Sequence, residues 1–132
     1  GSQRGFELHG SVARNFCMEC GARCGLDAVL TAEAVPRCPK CGGMLKPDVG
    51  LYEEPLDADV VAGAGNAIEQ ADTMVVVGTS LVVYPAASYL RYFSGGNLIL
   101  INKSATDYDD RANLTFHTDV IDVVDALKKL GV

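Results

Sequence analysis

The chain has no tryptophan, only two histidines and no long apolar run. The longest strongly apolar stretches, such as Met74–Val77 and Leu98–Ile101, are four residues. A membrane-spanning helix needs about 20, so no membrane helix is expected. No basic segment precedes an apolar stretch, so no secretory signal is visible. Basic charge is also scarce. Eleven Lys and Arg stand against 17 Asp and Glu, a formal net charge of -6. The deficit is uneven. Residues 1–47 carry six basic and four acidic residues, whereas residues 48–132 carry five basic and 13 acidic. An acidic C-terminal part argues against sequence-independent nucleic-acid binding, which needs a basic face. It reads most simply as a solvated surface, and it is compatible with a basic peptide partner. Gly-x-Gly-x-x-Gly and P-loop signatures are both missing. Hydrophobic residues make up 48% and charged residues 21%, which excludes a disordered chain. The 132 residues amount to one domain by length alone.

Against these absences stand five cysteines, at positions 17, 20, 24, 38 and 41. An odd count without a visible signal points to a reducing compartment, and the cytoplasm is the expected location. Cys17-Met18-Glu19-Cys20 and Cys38-Pro39-Lys40-Cys41 are two Cys-x-x-Cys pairs separated by 17 residues. That is the spacing of a four-cysteine zinc site. Each pair turns two thiolates inward, and together they supply the tetrahedral sulfur set that zinc prefers. Gly21 and Gly42-Gly43 follow the pairs and permit positive-φ turns. A redox dithiol or two disulfides are the alternatives. A thioredoxin-like motif uses one pair at a strand-to-helix turn, not two in glycine-rich loops. Cys24 reads as a packed or exposed residue rather than a competing ligand. Four cysteines leave no open coordination position, so the metal is structural.

Downstream the pattern alternates between helix and strand. Over 57–72, Val60, Val61, Ala64, Ala67, Ile68 and Ala71 form one apolar stripe, with Asp57 or Asp59 as cap. Gly63 and Gly65 each weaken this helix by about 1 kcal/mol relative to Ala. Thr73–Val77 is an apolar run without alternation, as in a parallel strand covered on both faces. A helix is predicted over 85–93 with Pro85 in its first turn, stopped by Gly95-Gly96. Strands follow at 98–101 and 114–117. The last helix spans 119–130, with Val120, Val123, Val124, Leu127 and Leu130 on one face. Asp119 suits its start, Lys128 and Lys129 its C-terminal dipole, and Gly131 its end. Alternating strands and helices predict an α/β fold with a parallel sheet.

In such sheets ligands bind beyond the carboxyl ends of strands. Gly78-Thr79-Ser80 and Asn102-Lys103-Ser104 each follow a predicted strand. Gly78 allows close backbone approach, and the hydroxyls, amide and amine suit a phosphate, ribose or adenine edge. Alone, each tripeptide reads equally as a turn. Together on neighbouring strands they also fit a nucleotide. His9 and His117 read as structural and exposed, respectively. Composition alone leaves catalysis undetermined.

The ordered set Phe6-Glu7-Leu8-His9-Gly10-Ser11, the paired cysteines, Cys41-Gly42-Gly43 with Lys46-Pro47-Asp48-Val49, Gly78-Thr79-Ser80-Leu81 with Tyr84-Pro85-Ala86, and Asn102-Lys103-Ser104 resembles a sirtuin of bacterial type. The resemblance runs from about Glu7 to Leu130. It implies a partial Rossmann-like parallel sheet with a small four-cysteine zinc module. Residues 1–15 would lead into the module, 16–47 would form it, and 48–132 would be the C-terminal part of the NAD-binding domain. It further implies an NAD-dependent protein-lysine deacylase, in which the acyl oxygen attacks the nicotinamide ribose and the acyl group ends on ADP-ribose. By motif, Cys17, Cys20, Cys38 and Cys41 would bind structural zinc. Gly78, Thr79 and Ser80 would contact NAD phosphate or ribose. Asn102, Lys103 and Ser104 would line the adenosine pocket, with Asp119 and Val120 near adenine. Val49, Gly50, Leu51, Tyr52 and Glu53 would form the edge to which an acyl-lysine protein or peptide adds as a strand.

Two departures from the family stand out. Val49-Gly50-Leu51-Tyr52-Glu53-Glu54 replaces the common Val-Val-x-Phe-Gly-Glu, although a second Glu resembles some bacterial members. The family's Gly-Ala-Gly-Ile-Ser loop, its Gln-Asn-x-Asp motif and its general-base histidine precede the Glu-Leu-His-Gly segment, and none is in this sequence. No catalytic residue is therefore assigned, and the chain alone is expected to be inactive, with self-association through an exposed sheet edge. A non-catalytic zinc-stabilised binding module and an NAD-dependent ADP-ribosyltransferase are the alternatives.

Overall fold

The computed structural model describes residues 3–51, 53–82 and 86–131. The chain divides between Val61 and Ala62 into two compact units.

The first unit is built on a three-stranded antiparallel sheet. Strand β1 (Gly10–Cys17) lies between β2 (Arg23–Gly25) and β3 (Leu45–Val49). Pro47 sits in β3, an edge strand, where its missing N–H is tolerated. The β1–β3 register shifts between Ser11 and Asn15. Such an irregularity bends the strand and re-aims side chains. Asn15 occupies it, buried, with Nδ2 donating to Val12 O at 3.1 Å. A short helix α1 (Asp27–Leu30) fills the space between the cysteine pairs. Among the described residues the buried core here is Cys17, Cys38 and Leu45, flanked by Ala22, Cys24 and Ala28.

Helix α2 (Ala58–Glu69) follows the predicted stripe and stops three residues short of the predicted end. Asp57 Oδ1 accepts from Asp59 N at 2.9 Å and Val60 N at 3.0 Å, which makes it the cap.

The second unit holds a parallel sheet of β4 (Thr73–Val77), β5 (Asn97–Ile101) and β6 (Leu114–Phe116), in that order. Val75 pairs with Ile99 and Ile99 with Leu114; Val77 pairs with Ile101 and Ile101 with Phe116. One face carries Leu98 and Leu100, which form the core with Leu81 and Leu90. Met74, Val76, Phe93, Tyr108 and Ala112 pack against them. The other face leaves Val75 52% and Val77 44% exposed, beside Leu114 and Phe116. The expectation that β4 is covered on both faces is therefore corrected. Its run is apolar on both sides, but burial alternates because this unit supplies one covering layer.

The predicted helix over 85–93 is a 3-10 segment, Ala86–Tyr92, which buries Tyr89 and Leu90; Pro85 lies outside the described residues. Helix α3 (Val120–Leu130) is capped as expected. Asp119 accepts from Ile121 N, and left-handed Gly131 (φ 78°) closes the end. Its apolar stripe forms but is not buried, with Leu127 46% and Leu130 77% exposed.

Gly95 is required by close approach rather than as a helix stop alone. A Cβ there would lie 2.4 Å from Ala71 O and 2.6 Å from Asp72 O, whereas one at Gly96 would meet nothing within 4 Å. Gly95→Ala is expected to destabilise the second unit by about 1–3 kcal/mol. Gly96→Ala should leave stability within about 0.5 kcal/mol. Urea unfolding of the two variants checks both.

Candidate functional site

Two constellations are built by these units, one from sulfur and one from strand ends. In the first unit, β1 delivers Cys17 at its last position, and the loop before β3 delivers Cys38 and Cys41. The two Cys-x-x-Cys turns close alike. Gly21 N donates to Cys17 O at 3.0 Å, and Gly42 N to Cys38 O at 2.8 Å. Gly42 is left-handed (φ 77°) as expected, but Gly43 is not. Gly43 is needed for room, because a Cβ there would sit 2.9 Å from Cys17 Sγ.

All four sulfurs lie within 4.8 Å of one another. Cys17 and Cys41 Sγ are 3.4 Å apart, and Cys20 and Cys38 Sγ 3.8 Å. Tetrahedral zinc with bonds of about 2.3 Å places its sulfurs about 3.8 Å apart. The donor set thus fits zinc in number, element and spacing. Its electrostatics suit a cation. Backbone N–H donors of Cys20, then Glu19, pull the Cys17 thiol down to about 7. Cys41 receives a favourable bond from Gly43 N–H, yet the neighbouring sulfurs of Cys20 and Cys17 push its thiol up to about 12. One thiolate is easily formed, but a second beside it is opposed unless a divalent ion neutralises them. Cys24 stands outside the cluster, opposite Asn15 in the sheet, and burial pushes its thiol up. It packs as a small apolar residue.

In the second unit the parallel register sets Gly78, Asn102 and His117 immediately after the aligned residues Val77, Ile101 and Phe116. Gly78 N donates to Ile101 O at 2.9 Å, and Asn102 N to Phe116 O at 3.0 Å. Thr79 Oγ1 accepts from Leu81 N at 3.1 Å, folding the turn back, and Ser80 is exposed. Asn102 Nδ2 holds Ser104 O at 2.8 Å. Lys103 Nζ meets Asp119 Oδ2 at 2.8 Å, joining the end of β5 to the start of α3, where Val120 begins the helix. Lys103, then the Ile121 N–H, holds the Asp119 carboxyl below the usual carboxylate range. Gly78, Asn102 and Lys103 thus lie at adjoining strand ends, with Asp119 tied to Lys103; among the described residues nothing joins Ser80 or the apolar Val120 to them beyond chain neighbourhood. His117 Nε2 pairs with Asp109 Oδ2 at 3.1 Å.

The predicted peptide edge begins in β3 and leaves it. Val49 pairs with Gly10, and Gly50 N donates to His9 O at 3.1 Å. Leu51 and Glu53 are exposed, Glu53 in the left-handed region (φ 69°), and Tyr52 lies outside the described residues. Lys46 and Glu54, quoted in the motifs above but given no role there, meet at 3.0 Å beside this segment. Only their placement on either side of the predicted strand hinted at a role.

Comparison with known proteins gives a consistent picture. The family model "Sir2 family" matches residues 1–85. An NAD-dependent protein deacetylase of Clostridium acetobutylicum is 52% identical over 128 residues, covering 96% of this chain and 52% of the relative. One from Clostridium perfringens is 53% identical over 121 residues, covering 91% and 50%. Among solved structures, "Sir2-p53 peptide-NAD+" is 33% identical with a TM-score of 0.85, covering 99% of this chain and 57% of that one. "The Structural basis of Sirtuin Substrate Affinity" is 32% identical with a TM-score of 0.92, covering 100% and 56%. The chain spans about half the length of the curated relatives it matches.

Two outcomes test the geometry. The purified chain is expected to carry about one zinc per molecule. Cys38→Ser should lose the metal and unfold the first unit, while Cys24→Ser keeps it; elemental analysis and thiol titration distinguish the two. The second outcome concerns pH. Asp119 has a lowered folded pKa, so its contribution is complete above the unfolded value and fades as pH falls through the folded one. Exchange protection of the Ile121 amide should therefore persist through mildly acidic pH and drop only below the ordinary carboxylate range.

Proposed function

The chain belongs to the Sir2 family, and on that premise we propose that the whole protein is an NAD-dependent protein-lysine deacylase. It transfers the acyl group of an acyl-lysine side chain to ADP-ribose and releases nicotinamide, a transferase reaction that leaves free lysine as hydrolysis would. The observation that carries this reading is the polar rim at the ends of β4, β5 and β6. Three strand ends in register offer backbone, hydroxyl, amide and amine groups to one ligand, the arrangement that doubly wound sheets use for nucleotides.

Each residue then has a task. Gly78, Thr79 and Ser80 bind NAD phosphate or ribose through a turn that Thr79 holds closed. Asn102 and Ser104 fix each other and line the adenosine pocket with Lys103. Asp119, tied to Lys103, and Val120 flank the adenine. Zinc at the four cysteines replaces an apolar core and takes no part in the chemistry. Val49, Gly50, Leu51, Tyr52 and Glu53 receive the acyl-lysine peptide as an added strand. Five free cysteines support a cytoplasmic, reducing location. The same reading assigns any self-association of this chain to the β4 edge.

The protein extended upstream of Gly1 is expected to consume NAD and release nicotinamide only with an acyl-lysine peptide. The 132-residue chain alone should release none. Asn102→Ala in the longer protein should raise the NAD KM by about tenfold, the equivalent of one good hydrogen bond. Binding of both ligands without nicotinamide release would point instead to a binding module. Accumulation of ADP-ribosylated protein would point to ADP-ribosyl transfer.

A further inference from the structure

Glu54 makes three hydrogen bonds, two through one side-chain oxygen and one through its backbone. Oε2 accepts from Leu51 N at 3.0 Å and from Lys46 Nζ at 3.0 Å, while the Glu54 backbone N donates to Leu51 O at 3.1 Å. Both backbone polar groups of Leu51 are thereby taken by one residue. The turn so closed holds Glu53 at φ 69°, a conformation L-residues adopt only under constraint. Lys46 is held in turn. Its Nζ also reaches Val49 O at 3.5 Å and lies 5.6 Å from the centre of the Phe16 ring. The ammonium thus bridges the last residue of β3 to the turn that follows, at the wall of a cleft of about 320 Å³. The Leu51 N–H, then Lys46, keeps the Glu54 carboxyl below its ordinary range, so it stays an acceptor at neutral pH.

We propose that Glu54, locked by Lys46, is a positioning residue that sets the backbone of the Val49–Glu53 edge and thereby the affinity for the acyl-lysine peptide. The inference rests on the reading of that edge as the peptide-accepting strand. An added strand bonds to backbone groups, so its affinity depends on which groups the edge presents and how rigidly. Both backbone polar groups of Leu51 are held by Glu54, so the register offered to a peptide is chosen before the peptide arrives. Glu54 itself touches neither NAD nor the acyl group in this scheme.

The test uses the longer, active protein with zinc bound. Glu54→Ala is expected to raise the peptide KM by about tenfold, the loss of one charge-assisted hydrogen bond, with kcat and NAD KM within about twofold. Glu54→Gln keeps the size and one acceptor, so it should give a smaller rise in the same parameter and carries the test if the alanine variant fails to fold. Lys46→Arg should restore near-parental behaviour. The decisive variant is the charge swap Lys46→Glu with Glu54→Lys. A simple ion pair would be rebuilt by it, but a lysine at 54 cannot accept from Leu51 N–H, so peptide KM should stay high. Restoration by the swap, or an unchanged peptide KM in both Glu54 variants, overturns the inference. Hydrogen exchange separates its failure from that of the parent reading. Added acetyl-lysine peptide should protect amides of residues 49–53 in the unsubstituted protein. Absence of that protection refutes the peptide edge itself. Protection together with an unchanged KM in the variants refutes only the role of Glu54.

Discussion

Four sulfurs gathered within 4.8 Å form the constraint on which the first unit depends. Among the described residues its buried core holds three, two of them cysteines of this cluster. So little apolar burial cannot offset the ordering of some sixty residues, and the sulfurs themselves repel once ionised. A divalent ion held by Cys17, Cys20, Cys38 and Cys41 would resolve both problems, because it would favour the thiolates and link the end of β1 to the loop before β3. Antiparallel pairing sets β3 beside β1, from Cys17 opposite Leu45 to Gly10 opposite Val49.

The second unit rests on a different principle. Parallel pairing in strict register aligns three strand ends, and everything polar is held just past them. The apolar runs Met74–Val77 and Leu98–Ile101 secure the register by burying Leu98 and Leu100 on one face. The Lys103–Asp119 pair then fastens the start of α3 to the rim, so that the last helix is oriented by charge and cap rather than by a buried stripe.

The cysteine pattern was legible because metal chemistry demands fixed residue types at fixed spacing. The strands of the second unit and the two long helices were legible because apolar periodicity and capping are local, whereas β1, β2 and β3 carry no such run. Burial was not. The β4 run read as covered on both faces and the α3 stripe as one apolar face, yet Val75, Val77, Leu127 and Leu130 are exposed. Hydrophobicity states what a face prefers, not what lies against it. The segment over 85–93 was apolar and helix-like, but tightening to a 3-10 form is a matter of packing Tyr89 and Leu90 that no period announces. Gly43 illustrates the same limit, since its glycine serves a sulfur two dozen residues away in the chain.

By itself the sequence determined the four-cysteine pattern, the α/β alternation, the helix cap at Asp119, and the family resemblance, because each is encoded in neighbouring residues or in motif order. Only the tertiary structure decided that Gly78 and Asn102 stand side by side, that Lys103 reaches Asp119, and that Lys46 and Glu54 close on Leu51. These depend on strand register and chain reversal, which bring together side chains that sequence spacing leaves unrelated.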